Sequence, residues 1–390
     1  MYAERLRKIS PFRVMELMER AKTLESEGRR VVHFEVGEPD FETAEPIVAA
    51  GIRALEAGHT KYTQALGIPE LRERIAEHYR HDLGVDLPAQ RVVVTAGASG
   101  ALLLLNGLLL NPGDQLLVTD PGYPCNEVFV GLVNAEPVRI PLSSNKGFQL
   151  TAEDLQSHWQ PQVRGFLLAS PANPTGVVVA RESLEALIAV ARREGGFVIL
   201  DEIYQGLVYD DNASYRTGLE IDPDIFVLNS FSKYFGMTGW RLGWMVVPES
   251  ALDAVSRLAQ NLFISPSAIA QQAALAAFSA DAMAIHEARR AAFHGRRDLL
   301  CDGLRNLGFR VPVLPGGAFY LYVDVLHSGL NSYDFCWRLI DEYQVATTPG
   351  VDFGDHMAER YVRFAYTTDE DSIALGLARI ETALHSWAGA

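Results

Sequence analysis

A lysine lies among hydroxyl groups and an arginine in the stretch 230–241. Ser230 and Ser232 come just before Lys233, and Arg241 follows it. Hydroxyl groups and a guanidinium together bind a doubly charged anion such as a phosphate. A lysine amine that is desolvated near other cations becomes a nucleophile. The spacing predicts that Lys233 holds a carbonyl cofactor as a Schiff base beside an anchored phosphate, although such a stretch alone is more often a strand end followed by an exposed loop.

Apolar runs and helical patterns alternate on both sides of this stretch. The runs that predict strands lie at 92–95, 116–119, 166–169, 197–200, 225–228 and 244–247. The patterns that predict helices lie at 12–27, 46–57, 69–80, 101–110 and 182–194. Continuous apolar strands between helices are typical of a buried, largely parallel sheet with helices on both faces. We therefore expect an α/β fold.

The pattern changes after about residue 285. A long helix is predicted over 284–306, followed by strands at 319–323 and 361–365 with a helix at 334–343 between them. This order is typical of a smaller α+β domain, and the N-terminal helix is expected to pack with it. The predicted division is a large domain at 46–284 and a discontinuous small domain at 1–45 and 285–390.

Polar side chains follow four of the predicted strands. The segments that carry them are Ala98-Ser99, the turn Ser170–Gly176, Asp201–Tyr204 and Ser230–Lys233. Ligands of open α/β sheets bind beyond the carboxyl ends of the strands. One site could thus collect a phosphate cradle, an amide, a carboxylate, a phenol and a lysine, which are the groups that a pyridoxal phosphate site requires.

The charge, the cysteines and the apolar stretches of the chain indicate which classes of partner are not expected. The chain has 390 residues and a formal net charge of -15, so nucleic acid is not expected as a partner. Cys125, Cys301 and Cys336 are widely spaced and odd in number, which indicates neither a disulfide framework nor a metal site. The most apolar stretch, 101–110, is too short to span a bilayer. No signal peptide is apparent, and we expect a cytoplasmic protein without a membrane partner or metal.

The chain resembles the class I/II aminotransferases, pyridoxal-phosphate enzymes of fold type I, from about Val31 to about Tyr366. The motifs that carry the resemblance, in family order, are Gly37-Glu38-Pro39-Asp40, Lys61-Tyr62, Gly67–Arg72, Asn173-Pro174-Thr175-Gly176, Asp201-Glu202-Ile203-Tyr204, Ser232-Lys233, Gly239-Trp240-Arg241 and Arg363. The resemblance implies a mostly parallel seven-stranded sheet flanked by helices, plus a smaller α+β domain. It also implies pyridoxal 5'-phosphate as the cofactor.

The resemblance implies catalytic roles for three residues. Lys233 would form the Schiff base and, once displaced by substrate, carry the proton between the substrate and the cofactor. Asp201 would pair with the protonated pyridine nitrogen. Tyr204, together with Asn173, would donate a hydrogen bond to the phenolic oxygen of the cofactor. An Asn-Pro turn for Asn173 and helix packing for Tyr204 remain the alternatives.

The resemblance also implies the remaining cofactor contacts. Tyr123 would stack on the pyridine ring, although a turn tyrosine that covers the core is a competing interpretation. The phosphate clamp would consist of Ala98, Ser99, Ser230, Ser232 and Arg241. Tyr62 would reach the phosphate of the neighbouring subunit, which implies a homodimer with shared active sites.

The substrate contacts that the resemblance implies centre on one arginine. Arg363 would grip the α-carboxylate by a bidentate fork, with Gly37 and Asn173 as further contacts. No second arginine stands out as the ligand of a distal carboxylate, and Arg13 is a weak candidate for it. Asn261 and Phe263 are candidates to border the site from the partner chain.

The function implied is an aminotransferase that passes an amino group from an L-amino acid to a 2-oxo acid by a ping-pong mechanism. A β-C-S lyase or a decarboxylase-like relative on the same scaffold is the alternative, because such enzymes would keep the same cofactor contacts. A non-enzymatic regulator would need an appended basic module, which this acidic chain does not contain.

Overall fold

Helices and strands alternate along most of the chain in the computed structural model, which describes residues 2–9, 11–210, 213 and 215–388. The α-helices are α1 (Arg13–Ser26), α2 (Glu45–Glu56), α3 (Pro69–His81), α4 (Gly97–Leu109), α5 (Cys125–Leu132), α6 (Ala152–His158), α7 (Arg181–Arg193), α8 (Leu252–Leu262), α9 (Ala268–Leu275), α10 (Ala280–Asn306), α11 (Ser332–Tyr343) and α12 (Glu370–Ala388). The strands are β1 (Val32–His33), β2 (Val92–Thr95), β3 (Gln115–Asp120), β4 (Glu136–Pro141), β5 (Val163–Ala169), β6 (Phe197–Asp201), β7 (Phe226–Ser230), β8 (Gly243–Val246), β9 (Tyr320–Asp324), β10 (Val345–Ala346), β11 (Thr348–Pro349) and β12 (Tyr361–Ala365).

Seven strands form the central sheet in the order β2-β8-β7-β6-β5-β3-β4. β8 runs antiparallel to both of its neighbours, and the other adjacent pairs are parallel. The inner strands β6 and β7 are almost entirely buried, since helices cover both faces of the sheet. The predicted fold class, an α/β fold with a mostly parallel seven-stranded sheet, is confirmed.

Six of the seven strands match the apolar runs in the sequence, and β4 does not. β4 lies at the edge of the sheet and pairs only with β3, over Gln115↔Glu136 to Asp120↔Pro141. Most of its residues are partly or fully exposed. An edge strand with an exposed face needs no continuous apolar run, so the pattern that identified the inner strands does not identify this one.

Two smaller sheets lie outside the central one, and one of them joins the N-terminal and C-terminal parts of the chain. β11, β12 and β9 form an antiparallel three-stranded sheet, and β1 pairs in parallel with β10 through Val32↔Val345 and His33↔Ala346. Phe34, next to β1, packs against Phe364 with ring centroids 5.9 Å apart. The N-terminal segment therefore packs on C-terminal elements, as a discontinuous small domain requires. The boundaries at 45/46 and 284/285 stay a prediction.

The carboxyl ends of the central strands meet at one edge of the sheet. Ser230, the last residue of β7, is opposite Gly243, which is itself opposite Thr95 at the end of β2. On the other side, Asp201 at the end of β6 is opposite Ala169 at the end of β5. This register brings the polar segments that follow the four strands to one place.

Within the described part of the chain, no single helix has the length and apolarity needed to cross a membrane. One helix pair, Ala268–Phe278 with Ala280–Asn306, meets the criterion jointly by length and composition but is bent by 79°. The three cysteines are free, and the described residues contain no cluster of His, Cys, Asp or Glu that could hold a metal ion.

Candidate active site

A cavity of about 500 Å³ opens at this edge of the sheet. Twelve of the predicted site residues line it: Gly37, Ala98, Ser99, Tyr123, Asn173, Asp201, Tyr204, Ser230, Ser232, Lys233, Arg241 and Arg363. A larger cavity of about 770 Å³ lies elsewhere and is lined by none of them. The smaller cavity is therefore the candidate active site.

Lys233 lies in the turn that follows β7, and its amine points into the cavity. The Nζ atom donates a 2.6 Å hydrogen bond to the carbonyl oxygen of Gly37. It also lies 5.8 Å and 5.7 Å from the ring centroids of Tyr204 and Phe319. Burial, together with the positive charge of Arg363, lowers the pKa of Lys233 to about 8. A substantial fraction of this amine is thus neutral near physiological pH and able to attack a carbonyl.

The lowered pKa of Lys233 predicts how fast the cofactor-free protein captures a carbonyl cofactor at different pH values. The rate should rise as the pH increases to about 8 and then level off, since only the neutral amine attacks. Absorbance after mixing with pyridoxal phosphate measures this rate. A rate that keeps rising to about pH 10, as for an ordinary lysine, would contradict the assignment.

Asp201 is a buried carboxylate at the end of β6. Its Oδ1 atom accepts a 3.0 Å hydrogen bond from the backbone N–H of Ile203. Burial raises the pKa of Asp201 to about 7, while the charge of Lys233 opposes that rise. A cationic partner in the cavity would stabilise the ionised carboxylate, and a protonated pyridine nitrogen is such a partner.

Hydroxyls, a guanidinium and a helix N-terminus form an anion cradle. The Ser230 Oγ donates to the Ser232 Oγ at 2.9 Å, and the Ser232 N–H donates to the Ser230 Oγ at 3.0 Å. Nη1 of Arg241 donates to the carbonyl of Thr238 at 3.0 Å. α4 begins at Gly97 without a side-chain cap, so its first N–H groups remain available to an anion.

Gly97 has a positive φ of +69° and leaves room for Arg241. A Cβ atom built at Gly97 would lie 2.7 Å from Nη2 of Arg241. The end of a flexible arginine can move away from such a contact, and here it would leave the cradle. Gly97→Ala is therefore expected to weaken binding of pyridoxal phosphate by about tenfold or more, because a charge-assisted phosphate contact is displaced.

Gly195 provides the matched control for this change. Its φ is +70°, and no atom lies within 4 Å of the Cβ position. Gly195→Ala should carry the same backbone strain, about 1 kcal/mol, and leave cofactor affinity unchanged. Absorbance titration and thermal unfolding separate the two effects. Equal cofactor affinity in both variants would exclude the cradle that we assign.

Arg363 is buried in β12 and reaches into the cavity. Its Nη1 donates to Oδ1 of Asn173 at 3.1 Å, and its Nη2 donates to the carbonyl of Glu35 at 2.6 Å and to Oγ1 of Thr348 at 3.3 Å. The guanidinium carbon lies 4.4 Å from the ring centroid of Tyr320. The Nε atom is buried and has no partner among the described residues. A guanidinium fixed in this way retains a donor for a carboxylate.

Tyr320 belongs to the site but was not predicted. Its hydroxyl pairs with that of Tyr204 at 2.8 Å, and a Cβ atom at Gly37 would lie 2.5 Å from the same hydroxyl. Tyr320 thus links Tyr204, Gly37 and Arg363. The signal in the sequence was weak, since it consists of two tyrosines, Tyr320 and Tyr322, at alternate positions of an apolar strand.

Asp352 is a second residue that sequence reasoning missed. Its two carboxylate oxygens accept the backbone N–H groups of Arg13 and Val14, each at 2.8 Å, and so hold the first turn of α1 at the cavity. More than three hundred positions separate these residues along the chain, so no local pattern indicates the contact.

Some predicted site residues are not brought to the cavity within one chain. Tyr62 is 81% exposed and does not line it. The side chain of Arg13 pairs with Glu16 at 3.1 Å and likewise lies outside the lining. Asn261 is exposed and donates to the carbonyl of Arg257, and Phe263 packs against the core. Roles for Tyr62, Asn261 and Phe263 would require a second copy of the chain.

The donor set fits pyridoxal phosphate. The uncapped helix with Ser230, Ser232 and Arg241 is suited to the phosphate, and the buried carboxylate of Asp201 is suited to the ring nitrogen. Lys233 supplies the amine, and the ring of Tyr123, which lines the cavity, provides a stacking surface.

Comparisons with known proteins agree with this chemistry. The model of the family Aminotransferase class I and II matches residues 29–380. The chain is 36% identical to a valine–pyruvate aminotransferase of Mycobacterium tuberculosis, over 97% of each chain. It is 35% identical to a (5-formylfuran-3-yl)methyl phosphate transaminase of Methanocaldococcus jannaschii, over 99% of this chain and all of the relative.

Solved structures give the same result. A crystal structure of an aminotransferase from Mycobacterium tuberculosis superposes with a TM-score of 0.95 at 36% identity and covers 99% of both chains. The aspartate aminotransferase of Thermus thermophilus with maleate superposes with a TM-score of 0.92 at 33% identity, covering 98% of this chain and 99% of that one. Both the sequence and the fold therefore match throughout, and the chain belongs to the class I and II aminotransferases, a family of pyridoxal-phosphate-dependent enzymes.

Proposed function

We propose that this aminotransferase passes the amino group of an L-amino acid to a 2-oxo acid in two half-reactions that share one proton carrier, Lys233. The observation that carries the proposal is the hydrogen bond from Lys233 Nζ to Gly37. Gly37 is two residues from Glu35, whose carbonyl oxygen holds Arg363. A substrate whose carboxylate lies on Arg363 would thus have its Cα near the amine.

Each of these side chains has a proposed role. Arg363 binds and orients the α-carboxylate, with Gly37 and Asn173 beside it. Asp201 keeps the ring nitrogen protonated, and the cofactor, when bound, supplies an electron sink next to the substrate Cα. Lys233 would take the proton from that carbon and deliver it to C4′ of the bound cofactor, and would move it in the opposite direction in the second half-reaction.

The remaining cofactor contacts are proposed from their place in the cavity. Tyr204 donates a hydrogen bond to the phenolic oxygen of the cofactor, and Tyr320 orients the hydroxyl of Tyr204. Tyr123 covers one face of the ring. The phosphate is bound by the N-terminus of α4, which includes Ala98 and Ser99, and by Ser230, Ser232 and Arg241.

The two half-reactions can be tested separately by absorbance. An amino acid alone should convert the loaded enzyme to its pyridoxamine form, and a 2-oxo acid alone should restore the original spectrum. A lyase on the same scaffold would instead release pyruvate from cystathionine without accumulating a pyridoxamine form, and that outcome would contradict transamination.

We also propose a homodimer in which Tyr62 reaches the phosphate site of the partner. Val48, Ile52 and Leu55 form an exposed apolar stripe on α2, and Leu262 and Ile264 are exposed as well. Apolar groups at helical spacing on a surface are typical of an interface. Tyr62, on the loop that follows α2, is exposed in the single chain and free to contact a second copy.

The dimer proposal predicts the effect of a charge on this stripe. Leu55→Asp should shift the mass in solution from twice the 43.0 kDa of the chain toward a monomer, because burying an unpaired carboxylate costs several kcal/mol. Cofactor affinity should fall with it, since Tyr62 would lose its target. Sedimentation measures the mass, and Leu326→Asp, at an exposed position away from α2, is the control. A wild-type protein that sediments as a monomer would refute the proposal.

Two further predictions from the sequence are kept as proposals. The division into a large domain at 46–284 and a small domain at 1–45 with 285–390 is supported by the β1–β10 pairing of the two ends. A cytoplasmic location is supported by three free cysteines, which a reducing compartment would preserve.

A further inference from the structure

The part of the cavity contributed by the N-terminal segment is apolar. Phe12, Val14, Met15 and Met18 line it from the start of α1, and we call these four residues the N-terminal wall. The neighbouring face of α1 is fixed in the core, because Leu17, Ala21 and Leu24 are fully buried. The wall is therefore a built surface and not a loose segment.

Asp352 fixes the N-terminal wall to the site. It is 8% exposed, and its carboxylate caps α1 by accepting the N–H groups of Arg13 and Val14 at 2.8 Å each. A carboxylate at a helix N-terminus also interacts favourably with the helix dipole. The first turn of α1, which carries Val14 and Met15, is thus held at the cavity by two hydrogen bonds.

The positive charges that line the cavity already have roles. Among the described residues, the lining includes three cations: Lys233, Arg241 and Arg363. The proposed function assigns them to the cofactor carbonyl, the phosphate and the α-carboxylate. Arg13, the weak candidate for a distal carboxylate, instead pairs with Glu16 and lies 5.9 Å from the ring centroid of Tyr333.

Besides Asp352, two carboxylates that are not assigned to the cofactor line the cavity, those of Glu35 and Glu38. Glu35 is 1% exposed, pairs with His33 at 2.7 Å through Oε1, and has no partner for Oε2 among the described residues. Glu38 accepts a hydrogen bond from Oγ1 of Thr238. A second carboxylate on the substrate would meet these carboxylates and the N-terminal wall, and the described residues of one chain add no unassigned cation to the lining that could pair with it. Burying that carboxylate unpaired would be costly.

We propose that the N-terminal wall selects amino acids with an uncharged, apolar side chain, and the matching 2-oxo acids, over dicarboxylic ones. This inference rests on the proposed function, because it takes the α-carboxylate to be bound by Arg363. An aliphatic or aromatic substrate side chain that extends toward α1 would bind more tightly, because its apolar surface is buried against Phe12, Val14, Met15 and Met18. The relatives do not decide the matter, since they include a valine–pyruvate and an aspartate aminotransferase.

Unreactive analogues test the selection without requiring turnover. 4-Methylpentanoate has the carbon skeleton of leucine without its amino group, and butanedioate has that of aspartate. Calorimetry with the cofactor-loaded enzyme should show 4-methylpentanoate binding about tenfold to a hundredfold more tightly than butanedioate. Butanedioate binding equally or more tightly would overturn the proposal, as would tighter binding of 6-aminohexanoate, the analogue of lysine.

A variant of the N-terminal wall tests whether these residues make the choice. Met15 is 52% exposed, so a lysine at this position is compatible with folding. Met15→Lys should improve butanedioate binding by about tenfold and weaken 4-methylpentanoate binding, while Met15→Leu should change neither by more than about twofold. Unchanged affinities in Met15→Lys would overturn the assignment of the wall.

Half-reaction rates distinguish a failure of this inference from a failure of the proposed function. Faster conversion of the cofactor by leucine, methionine or phenylalanine than by aspartate or glutamate supports selection by the wall. Faster conversion by aspartate overturns the selection and leaves transamination intact. If no amino acid converts the cofactor but 4-methylpentanoate still binds more tightly than butanedioate, the proposed function fails and the selection stands.

Discussion

Lys233→Ala is expected to lower the rate of amino transfer by at least about 10⁴-fold, because the variant lacks both the amine that holds the cofactor and the group that moves the proton. The amine lies in the cavity with a pKa lowered to about 8 and a 2.6 Å hydrogen bond to Gly37. Cofactor still bound to the variant should be lost on dialysis against buffer, since no covalent bond retains it. Turnover of leucine with pyruvate as the acceptor measures the rate, and the absorbance spectrum measures the retained cofactor.

Lys146 supplies the control for the loss of a lysine. It is exposed, pairs with Asp154 at 3.1 Å and does not line the cavity. Lys146→Ala should retain full activity, because an exposed ion pair contributes at most about 1 kcal/mol to stability. Activity of Lys233→Ala within about tenfold of the wild type would show that another group carries the proton.

Arg363→Ala is expected to lower kcat/KM by about 10³-fold for every amino donor, irrespective of its side chain. The guanidinium is buried between the rings of Tyr320 and Phe353, at 4.4 Å and 4.8 Å from their centroids, and is held by Asn173 and Glu35. Loss of a buried, charge-assisted contact to a carboxylate costs several kcal/mol. The variant should still bind the cofactor, because Arg363 is not assigned to the phosphate or the ring.

Two further substitutions distinguish the bidentate geometry of Arg363 from its positive charge and from a general effect on folding. Arg363→Lys retains the charge but loses the bidentate geometry, and should lower kcat/KM by about tenfold to a hundredfold. Arg360, just before β12, pairs with Asp324 and lies outside the cavity, so Arg360→Ala should leave kcat/KM unchanged. If Arg363→Lys matched the wild type for several donors, the α-carboxylate would have to bind elsewhere.

The inner part of the fold was predictable from the sequence because its strands are buried on both faces. The inner strands β6 and β7 each appear as continuous apolar runs, and the register of the sheet then brings the polar segments after them together. Asp201 and Ser230 reach the cavity for this reason alone. β4 was not predicted, since its exposed edge carries no such run.

The parts of the site that depend on contacts between distant segments were not predictable. Tyr320 meets Tyr204 across 116 positions, and Asp352 meets the start of α1 across 339. Neither contact leaves a periodic signal, because the spacing depends on how the smaller sheets pack against the central one. The contact proposed for Tyr62 does not form within one chain, since its target would lie on a second copy.

The covalent attachment of the cofactor to Lys233 is the central claim, and borohydride reduction tests it most directly. The sequence has five lysines: Lys8, Lys22, Lys61, Lys146 and Lys233. Reduction of the loaded enzyme, followed by digestion and mass spectrometry, should place the reduced cofactor on the peptide that contains Lys233 and on no other. Label on Lys22, Lys61 or Lys146, all of which are exposed, or an unlabelled Lys233 peptide, would contradict this assignment of the active site.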